Sequence, residues 1–136
     1  MPAAAGTAAY KAPEQFEDDE ITTKSEVYSY GIVLWELLHG EQPWAGRNEL
    51  YIMRRVCDRQ ERPSMNVDNG TLRQLTEACW AAAAADRPSF ADVVARLEAV
   101  QRTFATSGFK VHYNALSARI RGSPPERPPQ PIEWFE

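Results

Sequence analysis

The sequence predicts a mainly α-helical domain that gives way to a proline-rich, extended tail, and three observations carry that prediction. Helix start and stop signals recur along the first three quarters of the chain, and the apolar residues between them repeat at helical spacing. The end of the chain, "GSPPERPPQPIEWFE", carries proline at a density that blocks helix and central strand alike. We therefore place the helical part at residues 1–102 and a weakly structured, then proline-rich, tail at 103–136. With 136 residues and 43% hydrophobic content, the chain can bury one modest core but not two.

The first clear helix starts near "TTKSEV" and runs through "YSYGIVLWELLHG". Thr23 with Glu26 three residues on fits a capping box, and His39 with Gly40 supplies a C-terminal stop. Between them Val27, Tyr28, Tyr30, Ile32, Val33, Leu34, Trp35, Leu37 and Leu38 point in nearly every direction. Such a helix belongs inside, surrounded by other elements. "NELYIMRRVCD" reads as an amphipathic helix with Leu50, Met53 and Val56 inward and Arg54 and Arg55 outward.

In "TLRQLTEACW", Thr71 and Gln74 form a second capping-box pattern, and Leu72, Leu75 and Cys79 recur at helical spacing. The last helix begins at Ser89 after Pro88, with Phe90, Val93, Val94, Leu97 and Val100 as its inward stripe. Ala81 to Ala85 either extend the preceding helix or fill a permissive loop. Beyond Thr103, "FKVHY" alternates like a short strand and "NALSARI" is weakly helical.

Composition excludes several classes. The net charge is −4, from 19 acidic and 15 basic residues without a basic cluster, so no nucleic-acid surface is expected. Cys57 and Cys79 show no metal-ligand spacing and read as small buried hydrophobes in a reducing compartment. "YGIVLWELL", interrupted by Glu36, is far shorter than the roughly 20 residues a membrane span needs. No membrane partner is expected, and the start lacks the pattern of a secretory leader. The cytoplasm or the nucleus is the expected compartment. The acidic run Glu17 to Glu20 reads as a solvated loop rather than a metal site. His39 and His112 have no Asp, Ser or Cys constellation to recruit them.

Four blocks in order carry a family resemblance: "GTAAYKAPE", "TTKSEVYSYGIVLWELLHGEQPW", "ERPSM" and "CWAAAAADRPSF". Together they resemble the rear part of the large lobe of a protein kinase, from the end of the activation segment through the helices that follow it. Gly6 and Thr7 before the Ala-Pro-Glu triplet are similar to serine/threonine kinases. "CW" followed by "RPSF" is similar to tyrosine kinases and their serine/threonine relatives. The mixed signature resembles the tyrosine-kinase-like group.

The resemblance implies roles for particular residues. Glu14, of the Ala-Pro-Glu triplet, is expected to pair with Arg87 and tie the substrate-facing loop to the lobe, a role for which the planar guanidinium fork suits a carboxylate. Thr7 and Tyr10 belong to that substrate loop; Thr7 would help shape the pocket for the residue after the phosphorylated one, or else simply initiate a turn after Gly6. Glu26 stands where the family usually has Asp. It either faces the catalytic loop or serves as the capping partner of Thr23, and the residues leave both roles open.

Phosphoryl transfer needs a glycine-rich loop, a strand Lys, a catalytic-loop Asp with its Asn, and a metal-binding Asp. No such motif occurs in these 136 residues. The chain is thus expected to hold no catalytic residue, to bind no cofactor itself and to be inactive alone, with ATP and Mg2+ implied for the longer family protein. A protein substrate is implied in that longer form. Residues 124–131, "PPERPPQP", offer a ligand for a proline-recognition domain or form a plain disordered tail. The alternative function is a noncatalytic binding or scaffold module. The central helix is expected to lack part of its covering, leaving the isolated chain loosely packed or self-associating.

Overall fold

The computed structural model describes residues 8–107, and side chains within them as far as Thr103. Thr7, Ala3 to Ala5, "FKVHY" with His112, "NALSARI" and the proline-rich tail lie outside the described residues. From Gln15 on, the α-helices of the described residues are, in order, α1 (Gln15–Asp18), α2 (Thr23–His39), α3 (Glu49–Met53), α4 (Gly70–Cys79) and α5 (Phe90–Ser107). A π-helical turn, Arg54–Asp58, continues α3, and a 3-10 turn, Ala84–Asp86, precedes α5. There is no strand among the described residues. The last helix runs on to Ser107, through the position where we expected the tail to begin.

α2 is the axis of the fold. It caps one residue earlier than expected: Thr22 Oγ1 accepts from the Ser25 amide at 3.0 Å, and Ser25 Oγ accepts from the Thr22 amide at 2.9 Å. Thr22 is extended, with φ −113° and ψ 165°, so its side chain can reach the first turn, whereas Thr23 is already helical. The expected Thr23–Glu26 box is therefore corrected to Thr22–Ser25. Glu26 is exposed.

At the other end Gly40, with φ 64°, forms the left-handed cap, its amide donating to Glu36 O at 2.8 Å. His39 is buried and stacks on Trp35 with ring centroids 4.4 Å apart. Its Nε2 accepts from the Asn66 amide at 2.9 Å, so the proton sits on Nδ1, which lies 2.8 Å from Trp35 O. This imidazole ties the helix end to the loop that precedes α4.

Two apolar clusters flank α2. One joins Tyr28, Ile32 and Trp35 to Ala8, Ala12, Ile52, Val56 and Trp80; the other joins Val27 and Leu34 to Leu75, Cys79 and Val93. Between α2 and α4 the backbones approach closely. A Cβ on Gly31 would lie 2.8 Å from the Cys79 Cβ, so only glycine fits. Burial is not complete around α2, however: Val33 is 37% and Leu37 45% exposed, one helical turn apart on a face that the described residues leave partly open.

The shorter helices depart from the sequence reading in their details. In α3 the buried residues are Ile52 and, across the π turn, Val56, while Leu50 is 52% exposed and Met53 half-buried. The inward face of α3 is the one that carries Ile52 and, four residues on, Val56, which leaves Leu50 turned away from the core. α4 is capped by Asn69, whose Oδ1 accepts from the Leu72 amide at 3.0 Å, and not by the expected Thr71–Gln74 box. Ser89 Oγ accepts from the Asp92 amide, so Ser89 caps α5 rather than opening it. Val93 and Val100 are buried but Val94 is exposed, because adjacent residues diverge by about 100° on a helix. Cys79 is buried and Cys57 only partly so. The alanine run fills a loop rather than extending α4, which ends at Cys79.

Candidate functional site

The segment Ala8–Glu14 lies against α2, and its side chains and backbone are both held. Ala8 and Ala12 are fully buried, which places the backbone hard against the first apolar cluster. Ser29 Oγ donates to Tyr10 O at 2.7 Å, and the Tyr10 hydroxyl donates to Glu36 Oε1 at 2.6 Å. Ser29 and Glu36 are two turns apart on one face of α2, so a single helix face grips the segment twice. Burial, then the hydrogen bond to Glu36 and its negative charge, push the Tyr10 pKa up to about 12. Lys11 reaches Asp19 at 3.5 Å and Glu49 at 4.0 Å, a loose link across the surface.

The segment ends at Glu14, and there the geometry is tightest. Arg87 Nη1 donates to Glu14 Oε1 at 2.6 Å and Nη2 to Oε2 at 2.9 Å, a bidentate fork across 73 residues of sequence. The remaining donors go to backbone: Nε to Ala81 O at 2.9 Å, Nη1 to Lys24 O at 3.0 Å and Nη2 to Ala82 O at 3.3 Å. All five guanidinium N–H groups are thus used, and Arg87 is only 2% exposed. Lys24 Nζ donates in turn to Arg87 O. Burial raises the Glu14 pKa, but the hydrogen bonds and positive charge of Arg87 outweigh it and hold the carboxyl below its ordinary value. The Ala81 and Ala82 carbonyls come from the loop between α4 and the 3-10 turn, just before Arg87 in the chain.

A second guanidinium backs the first. Arg62 Nε donates to Trp80 O at 3.0 Å, and Arg62 and Arg87 each lie 5.1 Å from the centroid of the Tyr28 ring. Burial pushes the Tyr28 pKa up to about 12. Cys57 Sγ lies 3.6 Å from Pro13 O, and burial, followed by the Asp58 charge, raises its pKa.

Of the site residues read from sequence, Glu14 and Arg87 are brought together, Tyr10 is anchored four residues from Glu14, and Thr7 lies outside the described residues. Glu26 is exposed at the first turn of α2, and the cap it was a candidate to share belongs to Ser25. Sequence reasoning missed Ser29, Glu36 and Arg62. Glu36 did leave a signal, as the single charge within the apolar run "YGIVLWELL", and Arg62 lies in the short "ERP" block. The acidic residues Glu17 to Glu20 are exposed, and among the described residues no three His, Cys, Asp or Glu could hold a metal ion. No helix of the described residues is long and apolar enough to cross a membrane. The arrangement positions a segment of backbone.

Comparison with known proteins gives this geometry a context. Residues 3–97 match the family model described as protein tyrosine and serine/threonine kinase. The chain is 40% identical over 95 residues to the serine/threonine-protein kinase mos of Patiria pectinifera, covering 68% of this chain and 27% of that protein. It is 39% identical over 94 residues to the serine/threonine-protein kinase CTR1 of Arabidopsis thaliana, covering 67% and 11%. It is 30% identical over 116 residues to the mitogen-activated protein kinase kinase kinase 7 of Drosophila melanogaster, covering 85% and 17%. The chain spans about a quarter or less of the length of these relatives.

Proposed function

The chain belongs to the protein tyrosine and serine/threonine kinase family, and from that premise we propose that it forms the rear of the large lobe of a serine/threonine-directed kinase of the tyrosine-kinase-like group. In this reading the longer protein transfers a phosphoryl group from ATP to a protein substrate in the cytoplasm or nucleus. Residues Ala8–Glu14, with Thr7 before them, present the substrate-facing loop, and α2 to α5 hold it in place. ATP and Mg2+ are bound by parts of the kinase other than the residues described here, and what this chain adds to the reaction is positioning. A reaction that depends on alignment is sensitive to a loop displaced by about 1 Å.

The observation that supports this reading best is the saturated guanidinium of Arg87. A buried charge with every donor used fixes Glu14 and so the loop that ends on it. The exposed pair Val33 and Leu37 supports a second reading, a noncatalytic module that covers this face with a partner.

The test is to isolate the endogenous protein, measure its mass and incubate it with ATP, Mg2+ and a mixed protein substrate. A species much heavier than 15.3 kDa that yields phosphoserine or phosphothreonine, and loses at least about tenfold in rate on Arg87→Ala, is the expected result. Phosphotyrosine as the main product overturns the specificity. A 15.3 kDa species without transfer overturns the kinase reading in favour of the binding module.

A further inference from the structure

The face of α3 and its π turn, on the other side from the buried Ile52 and Val56, has no part in holding the Ala8–Glu14 segment. It forms an open groove of about 520 Å3 lined by Asn48, Leu50, Tyr51, Arg54, Arg55, Asp58 and Arg59. Three features distinguish it from ordinary surface. First, in a chain of net charge −4, three arginines, Arg54, Arg55 and Arg59, line the groove against one acidic lining residue, Asp58, with Glu61 beside them.

Second, one carboxylate, Glu61, serves two of the arginines, so their charge is only partly neutralised. Arg47 and Arg55 lie 4.5 and 4.9 Å from the centroid of the Tyr51 ring, and Arg55 forks onto Glu61 at 3.0 and 3.2 Å. Arg59 reaches Glu61 only at 3.9 Å, and Arg54 has no ion pair among the described residues. Arg54, Arg55 and Asp58 all lie on the π turn, a rare geometry that is frequent at functional sites. Third, Leu50 sits among these cations at 52% exposure, one turn from Arg54 on the same face. A large apolar side chain ringed by guanidiniums suits a ligand that brings both an apolar anchor and negative charge.

We propose that this groove docks an acidic, leucine-bearing segment of a partner protein. Carboxylates of the segment meet Arg54 and Arg59, and an apolar side chain packs on Leu50 and the Tyr51 ring. Arg55 acts as a strut, held by Glu61 and Tyr51 so that the ring presents a fixed surface. This proposal does not depend on phosphoryl transfer, and each can fail without the other.

The experiment uses the full chain and a fluorescein-labelled peptide in which glutamates and leucines alternate at helical spacing, read by fluorescence anisotropy. The expected result is saturable binding that weakens at least about tenfold when the peptide glutamates are replaced by glutamine, and again in the Arg54→Glu, Arg59→Glu double variant. Both arginines are exposed, so the circular dichroism spectrum of the double variant should match the parent. Leu50→Ser should weaken binding separately, and raising salt from about 50 to about 200 mM should weaken it further.

Equal binding of a lysine–leucine peptide, or undiminished binding by the double variant, overturns the proposal. So does a single-stranded oligonucleotide that competes better than the glutamate peptide, which would make the groove an anion site for nucleic acid. Tighter peptide binding by the Glu133→Gln, Glu136→Gln chain would mean that the chain's own tail competes for the groove, and would overturn the partner reading.

Discussion

Replacing Glu14 by Gln is the most informative single perturbation, because it keeps the shape of the Arg87 fork while removing one charge. Gln can still accept one hydrogen bond, but its amide nitrogen turns a donor toward the other guanidinium nitrogen. Arg87 stays buried and keeps its bonds to Ala81, Ala82 and Lys24. Breaking a buried pair by one partner costs about 3–5 kcal/mol. The Glu14 side chain is 33% exposed, so water screens part of the loss and we expect about 2–4 kcal/mol.

The loss should appear first in the loop that Arg87 organises. Ala81 to Ala85 form an alanine-rich turn, suited to an elastase-type protease, and cleavage there tracks the population of the open form when opening is fast. The rate should rise at least about tenfold in Glu14→Gln and further in Arg87→Ala, which strands three carbonyls as well as the carboxylate. Arg87→Lys should not rescue, since an ammonium has three donors where five are used.

Acid should act in the same direction. The Glu14 pKa is lowered in the folded chain, so its contribution is present above the unfolded carboxylate value and is lost as pH falls through the folded one. Parent cleavage should therefore rise in that acid window and Glu14→Gln cleavage should not. Parent and variant cleaving at the same rate at neutral pH would refute the reasoning.

Gly31→Ala should destabilise the chain by about 1–3 kcal/mol in a urea titration; because the clash is with a Cβ, Cys79→Ala should fail to rescue it and Cys79→Gly should rescue it in part. Trp44 holds a buried indole N–H that has no partner among the described residues, at a residue with φ 55°, so Trp44→Phe should be neutral or stabilising in the same titration despite its smaller ring. Tyr10 should resist ionisation to about pH 12 in an ultraviolet titration and lose part of that shift in Glu36→Gln. Because its folded pKa is raised, the stability it contributes is present below about pH 10 and declines as pH rises toward 12. Val33→Glu with Leu37→Glu should reduce any self-association in analytical ultracentrifugation; unchanged association would mean that another face is responsible.

The helices were legible because their signals are local. A glycine after His39, a proline before Ser89 and apolar spacing in α2, α4 and α5 all act within a few residues. Caps were legible in kind but not in register: Thr22 beside Thr23, and Asn69 two residues before Thr71, offer competing hydroxyls and amides, and only backbone φ and ψ decide which one reaches the first turn. The exposed Leu50 and Val94 were misplaced for a related reason, since periodicity gives the directions of side chains but not which neighbour arrives to cover them. At the site, Glu14 and Arg87 were reached through motif resemblance. The Ala81 and Ala82 carbonyls were not, because a backbone acceptor has no residue type by which to be seen. Ser29 was hidden likewise, its hydroxyl serving a carbonyl far away in the chain.

The 73-residue span between Glu14 and Arg87 also sets an order of events during synthesis. At about 5–20 residues per second, the ribosome takes roughly 4–15 s to make the arginine after the glutamate has been made. Until then the carboxylate lacks its Arg87 partner, and the segment is held by the Tyr10 contacts to α2 and the burial of Ala8 and Ala12. The loop is thus shaped in two stages by time as well as by space, and a nascent chain halted before residue 87 would carry its first segment half-fastened.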